Sequence, residues 1–414
     1  MSHRLFRNSF ALFILQIVNY LAPLLVLPYL SRTLSVEEFG VVAITLAAIQ
    51  LSQIITDYGF TYYAPYKIST NRENSGVISE LISRIFSAKI VLVLLVIGAA
   101  LVFLSMSSDF NSYLVYFLFA SLAVVAQAYQ PIWFFQGIEK MKKVTIYTTT
   151  AKMSYVVLVY LFINREGDGA YVILAWSAAQ ALGTYIAIRE MRKEGCRLQW
   201  RIKGVITVLL QAQGFFWARL SASMYSSSNS LIVGWLFGPT QSAYYNVSEQ
   251  IFKVCIFAPV PINQAIYPYM AREKNWRVFF GVLFGVSICM LLGSTFVYVF
   301  ASDIIRILFG EQYAAATDVV RILMIAVVLN YFSANLGYPL FAALGRANLA
   351  NGPIILCAIL YLIYIGWLYL TGRGDSSWIA WGVVGVEIVM FISNILLALM
   401  LVLQNKRKAG SYHE

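Results

Sequence analysis

Charge is scarce in this sequence: 12% of its 414 residues are Asp, Glu, Lys or Arg, while 60% are hydrophobic. Soluble proteins average about 25% charged and 45–50% apolar residues, so a water-soluble domain is excluded. Histidine is scarcer still. His3 and His413 both stand in the tails, which leaves no imidazole within the spans for catalysis or zinc ligation. The four cysteines, Cys196, Cys255, Cys289 and Cys357, form no C-x-x-C pair and no disulfide frame. A G-x-x-x-x-G-K-[ST] loop is also missing, so the chain does not hydrolyse nucleotide by itself. No catalytic residue, metal site or cofactor is expected.

What the sequence has instead is a succession of apolar runs of about twenty residues, the length that crosses about 30 Å of hydrocarbon as a helix. Mean hydropathy is +0.72. The runs place spans at 10–31, 39–62, 88–106, 113–136, 144–163, 170–188, 213–237, 242–268, 278–301, 319–344, 353–371 and 377–403, and they leave no room for a separate soluble domain. The first run is too long for a secretory h-region and is not followed by an A-x-A site, so it reads as a true span. The sequence thus predicts an all-α polytopic membrane protein of about twelve helices.

Net charge is +11, and its distribution says why. Of the 30 basic residues, 22 fall on the side that holds both termini and the even-numbered connections, among them Lys67, Arg84, Lys89, Lys140, Lys142, Lys143, Arg192 and Lys193. The other side holds four, Arg32, Arg165, Arg306 and Arg373. The positive-inside rule reads that asymmetry as cytoplasmic termini. The basic excess is therefore a topology signal with attraction to anionic lipid headgroups, and nucleic acid is not the expected partner.

The chain also echoes itself. Pro131 and Gly137 are matched by Pro339 and Gly345, both at an offset of 208, and Pro65-Tyr66 by Pro268-Tyr269 at 203. Six spans followed by six run in the same direction, which predicts parallel repeats of residues 1–195 and 196–414. In "QPIWFFQGIEKMKK" from Gln130, Pro131 kinks the fourth helix and Gly137 ends it as a C-cap. Trp133, Phe134 and Phe135 are placed at the membrane interface, either as part of a bending element or as an anchored helix end. Pro131, Gly137, Pro339 and Gly345 are the hinge candidates.

Subtracting 22 and 4 from 30 leaves four cations inside spans, Lys152, Arg219, Lys253 and Arg321. An ionised side chain at mid-membrane costs about 2.5–3.5 kcal/mol on insertion scales, so each needs a reason to be there. Lys253 lies far from both ends of its span, where it either serves a cavity or is neutralised by Glu249 four residues before it. Arg219 precedes "SASMYSSSNS", whose serines suit a watery cavity or small-residue packing equally. Lys152 is near enough to its helix start to snorkel, and Arg321 has Asp318 three residues back as a helix-end partner. The substrate-binding candidates are Lys253, Arg219, Lys152 and Arg32. The ion-coupling candidates are Glu249, Glu387 and Asp57.

"WFFQGIEKMKK" resembles the W-[FY]-[FY]-Q-G-x-E-x-[MF] ending of the fourth helix in O-antigen and polysaccharide flippases of the multidrug/oligosaccharidyl-lipid/polysaccharide exporter superfamily. "LSRTLSVEEFGVVAITLAAIQLSQIITDYGF" resembles that family's first periplasmic turn and second helix, with Glu38-Phe39-Gly40 and Asp57-Tyr58-Gly59 in place. The resemblance implies two six-helix lobes around a central cavity in the bacterial inner membrane, opening alternately to each side. The implied cargo is undecaprenyl-diphosphate-linked oligosaccharide driven by an ion gradient, with a polysaccharide polymerase and a chain-length regulator as further partners. Two other classes stay open. A drug or cation antiporter of the same superfamily predicts acids in the cavity. A polymerase or lipid-linked glycosyltransferase predicts a sizeable external loop, and the longest here, Ser302 to Asp318, is about seventeen residues.

Overall fold

The computed structural model describes residues 22–71, 74–106, 110–195 and 203–410. The start of the first span and residues His3, Arg4, Arg7, Arg72, Cys196, Arg197, Arg201 and His413 lie outside the described residues. Among those described there is no strand, and every expected span is represented by helix. Among the described residues eight helices are long and apolar enough to cross a membrane. The other four stretches fall short: the first is described only over 22–33, Met141–Phe162 carries Lys142, Lys143 and Lys152, and the polar residues Gln211, Gln213 and Arg219 dilute the seventh as Glu249 and Lys253 do the eighth. Large apolar side chains face outward, Leu94 at 66%, Leu292 at 67% and Leu370 at 83% exposure, as only a lipid-facing surface tolerates. The chain is a multi-pass membrane protein.

By packing, the chain falls into two compact units, Met1–Ser223 and Met224–Glu414. In the first, Gly169–Lys193 lies against Met141–Phe162, Phe110–Ala128 and Val36–Asp57. Small residues allow that approach: Gly183 sits where an added Cβ would be 2.8 Å from the Ala151 Cβ. Ser177 and Thr184 donate across the interface to the carbonyls of Phe119 and Ala126, each at 2.7 Å, the way polar groups join helices in lipid. In the second unit Ala316–Leu336 is central, against Ser376–Gly410, Pro239–Phe257 and Trp276–Val299.

Helices break inside the expected spans. The second stretch is Val36–Asp57 followed by Phe60–Thr70, with Tyr58 and Gly59 both left-handed at φ 46° and 78°. The fourth is Phe110–Ala128 and Ile132–Gly137, the seventh Val205–Ser226 and Asn229–Phe237, the eighth Pro239–Phe257 and Val260–Glu273, the tenth Ala316–Leu336 and Tyr338–Ala343.

The breaks at 131 and 337 correct the residue pairing expected of the repeat. Ile132–Gly137 and Tyr338–Ala343 end alike: Lys140 N–H donates to Phe135 O at 2.9 Å, and Arg346 N–H to Phe341 O at 2.8 Å. That places equivalent positions 206 apart, not 208. Pro131, the N-cap at φ −91° and ψ 53°, then corresponds to Gly337, and Pro339 sits two residues later, within the first turn of its helix where proline is tolerated. Gly345, at φ 75°, takes the left-handed position that Glu139 fills at φ 59° in the first unit. Gly137 is the last helical residue and Ile138 the C-cap, so Gly137 is not a left-handed cap. Its smallness serves packing, since a Cβ there would lie 2.7 Å from the Ile68 Cβ.

Trp133, Phe134 and Phe135 are also placed differently from expectation. All three are buried in the core of the first unit with Phe86 and Tyr147, Phe86 meeting Trp133 edge-on at 6.3 Å, rather than lying in an interfacial belt. The lysines after them join a salt-bridge cluster: Lys140 and Lys143 bridge Glu194, and Lys143 also bridges Glu190.

Candidate functional site

The break at Tyr58–Gly59 turns Asp57 toward the Val205–Ser226 helix. Gly59 permits the contact, because a Cβ there would meet the Phe215 Cβ at 2.7 Å and the Phe216 backbone nitrogen at 2.8 Å. Tyr58 stacks on Phe216 with ring centroids 4.4 Å apart. One turn further along that helix, Arg219 Nη1 reaches Asp57 Oδ2 at 2.5 Å, while Asp57 Oδ1 accepts from the Thr61 hydroxyl at 2.7 Å. Asp57 is buried and Arg219 part-buried. The Asp57-Tyr58-Gly59 motif is thus the framework of an ion pair.

That pair lines a cavity of about 100 Å³, together with Lys89, Gln53, Gln127 and Gln130 among others. Lys89 is a site residue that sequence reasoning missed. By sequence it counts on the cytoplasmic side, at the very edge of the run over 88–106, whereas the helix is Ser75–Ser105, started by an Asn74 side chain that accepts from the Val77 N–H. Lys89 is therefore mid-helix, at 3% exposure, and donates from Nζ to the Ala128 carbonyl. The signal that could have found it is the N-cap asparagine, four turns upstream of the lysine. Two cations and one carboxylate leave this cavity with a net positive charge, ringed by amides that hydrogen-bond an oxyanion readily.

In the second unit Lys253 pairs with Glu249 at 2.9 Å along one helix face, as the spacing predicts, and Glu249 also approaches the Ser230 hydroxyl at 3.4 Å. Asn246 donates to that hydroxyl at 3.3 Å, and Tyr361 donates to Asn229 at 2.7 Å. Glu387 is buried, accepts from the Asn330 amide at 2.9 Å, and forms no ion pair among the described residues. The remaining candidates are dispersed. Lys152 is half-buried on Met141–Phe162, Arg32 is exposed at the end of the helix over 22–33, and Arg321 meets Asp318 at 3.6 Å, the helix-end pair expected of it. Among the described residues no cluster of histidine, cysteine and acidic groups is arranged to hold a metal.

The serines after Arg219 are mostly occupied. Ser223 donates back to the Arg219 carbonyl at 2.8 Å, and the Ser230 carbonyl accepts from Ser242 at 2.8 Å. Glu38, of the other motif, accepts from the backbone N–H of Gly167 at 3.0 Å and of Gly169 at 2.5 Å, so it ties the first turn to the start of the Gly169–Lys193 helix.

The family described as polysaccharide biosynthesis protein matches residues 5–274, well over half of the chain. Two curated relatives carry the name "Putative O-antigen transporter". The one from Shigella dysenteriae is 25% identical over 86% of this chain and 91% of its own length; the one from Escherichia coli (strain K12) is 29% identical over 77% and 78%. Both are named as transporters, not as enzymes. Among solved structures, lipid II flippase MurJ in an inward closed conformation superposes with a TM-score of 0.72 at 11% identity, over 97% of this chain and 87% of that one. An inward-facing multidrug resistance MATE family transporter of the MOP superfamily superposes at 0.64 with 12% identity, over 94% and 95%. At such identities the likeness is one of fold.

Proposed function

This chain belongs to the polysaccharide biosynthesis protein family, and from that premise we propose that it flips a lipid-diphosphate-linked oligosaccharide. The cargo is an undecaprenyl-diphosphate-linked O-antigen repeat unit or similar, moved from the cytoplasmic to the periplasmic leaflet of a bacterial inner membrane. Both termini are cytoplasmic, and the duplicated halves 1–195 and 196–414 carry an alternating-access cycle coupled to an ion gradient. A polysaccharide polymerase and a chain-length regulator receive the product.

The observation that carries this reading is the naming of two relatives, each aligned over more than three quarters of the chain, as O-antigen transporters. The site chemistry supports it. Around Asp57, two cations face one carboxylate, so that cavity is net positive, as an anionic diphosphate requires and a cationic drug does not, while Lys253 and Glu249 neutralise each other. Arg219 and Lys89 take a phosphate in the first unit, and Lys253 is the cargo-binding candidate of the second. Glu387, held by an amide rather than a cation, is the first candidate for ion coupling.

The test is flipping of lipid-linked oligosaccharide in proteoliposomes. Arg219→Ala and Lys253→Ala are each expected to slow flipping about tenfold, equivalent to about 1.4 kcal/mol, and the double variant more. Wild-type rates in normally inserted variants would overturn the assignment of the cations. Dissipating the proton gradient is expected to slow the wild type and to leave Glu387→Gln unaffected; drug efflux without lipid flipping would favour the antiporter.

A further inference from the structure

Lys89 touches two things at once. Its Nζ donates to the carbonyl of Ala128, the last residue of Phe110–Ala128. Carbonyls in the last turn of a helix have no donor within it, and a cation at that end is favoured by the helix dipole. The chain then leaves helical geometry until Ile132, where the short segment ending at Gly137 begins. Lys89 therefore caps the open end of the break in the fourth helix. Lys89 and Ala128 also line the same cavity as Asp57 and Arg219.

The charges there are unevenly committed. Asp57 gives one oxygen to Arg219 and the other to Thr61. Among the described residues Lys89 has no carboxylate within ion-pair distance, and its partner is a neutral carbonyl. The bond to Ala128 is charge-assisted from the donor side alone, whereas a phosphate oxygen adds an opposite charge whose attraction is stronger in a cavity away from bulk water. An oxyanion entering this cavity competes with Ala128 for the ammonium and has the advantage.

We propose that Lys89 is the positioning residue through which an oxyanion in this cavity acts on the fourth helix. Bound to Ala128, the ammonium holds the break open between Ala128 and Ile132. Drawn to a phosphate or diphosphate oxygen, it leaves that carbonyl and frees Ile132–Gly137 to change register against the core that buries Trp133, Phe134 and Phe135. Cargo arrival and hinge movement are then one event. The inference rests on the anionic cargo proposed above. A lipid headgroup and a soluble phosphate present the same chemistry, so the test separates them.

The full chain, in nanodiscs of zwitterionic lipid, is followed by hydrogen exchange over peptides spanning 129–138. Inorganic diphosphate is one arm and nanodiscs containing undecaprenyl phosphate the other. Wild type is expected to exchange about tenfold faster at these amides when diphosphate or the lipid phosphate is supplied. Lys89→Met is expected to exchange fast from the outset and not to respond, while Lys89→Arg keeps the response. A response to the lipid arm alone assigns the ligand to a lipid phosphate, and a response to diphosphate shows that the oxyanion suffices.

Diphosphate that binds wild type by calorimetry without changing exchange at 129–138 overturns the proposal, as does failure of wild type to bind or respond in either arm. Lys89→Met flipping lipid-linked oligosaccharide at the wild-type rate also overturns it and leaves the cargo reading standing. An intact exchange response in a protein that does not flip such lipids has the opposite meaning.

Discussion

Three glycines of the motifs are small for different reasons, and alanine separates them. At Gly345 the φ of 75° is the whole difficulty, because nothing lies within 4 Å of an added Cβ; Gly345→Ala costs about 1–2 kcal/mol of left-handed strain. At Gly137 the φ is ordinary but the Cβ meets buried Ile68 at 2.7 and 2.8 Å, so overpacking costs about 1–3 kcal/mol. At Gly59 both problems coincide, and one obstacle is the backbone nitrogen of Phe216, which cannot rotate away. Thermal unfolding in detergent should rank Gly59→Ala well below the other two; a Gly59→Ala protein as stable as Gly345→Ala would contradict the close approach described.

Residue chemistry was legible where it was local. Glu249 and Lys253 are four apart on one helix, and their pairing follows from spacing alone. Asp57 and Arg219 are 162 positions apart, so their pairing depends on a backbone turn at Tyr58–Gly59 that no periodicity reveals. The serine strip shows the opposite limit. A hydroxyl that donates to the carbonyl four residues earlier, as Ser223 does, is polar in sequence and silent in structure.

Among the elements, span positions were read from apolar runs, and the misreadings share one cause. The third helix was expected from 88 and starts at Ser75, because its first turns carry Ser79, Glu80, Ser83 and Arg84. Hydropathy marks where lipid begins, while capping marks where a helix begins. The helix breaks are legible only in part: Pro131 announces one, but the other falls at Gly337, two residues before the hinge candidate Pro339, which lies in the first turn of the following segment.

Glu38 and Asp168 act on one element together. Glu38 takes the N–H groups of Gly167 and Gly169, and Asp168 those of Asn164 and Arg165 at 3.0 and 3.2 Å. Those backbone donors, Asn164 first, hold the Asp168 carboxyl below the usual carboxylate range. A depressed carboxylate contributes stability that is fully present above its unfolded value of about 3.9 and is lost as pH falls through the lower folded value. Exchange of amides 164–169 should therefore stay slow at neutral pH and rise only under strong acid. Glu38→Ala should raise it at neutral pH, and unchanged exchange in that variant would show that the carboxylate is not a cap.

For the molecule as a whole, orientation is the prediction most easily checked. With native cysteines replaced, Lys142→Cys, exposed beside the Lys140–Glu194 bridge, should react with an impermeant thiol reagent only after the cell is opened. Glu166→Cys, exposed in the connection after Ile163, should react in intact cells. The reverse pattern would invert the topology and, with it, the direction of transport.

The packing boundary after Ser223 bears on how the gene can be divided. Gln211, Phe215, Phe216 and Arg219 complete Tyr63, Gly59, Tyr58 and Asp57. Two polypeptides co-expressed from a cut between 195 and 196 would leave an amino-terminal fragment with an unneutralised aspartate and a bare cleft. A nick at the Ser227–Ser228 interruption keeps those partners on one fragment, and by growth complementation the later cut should be the one that restores a working protein.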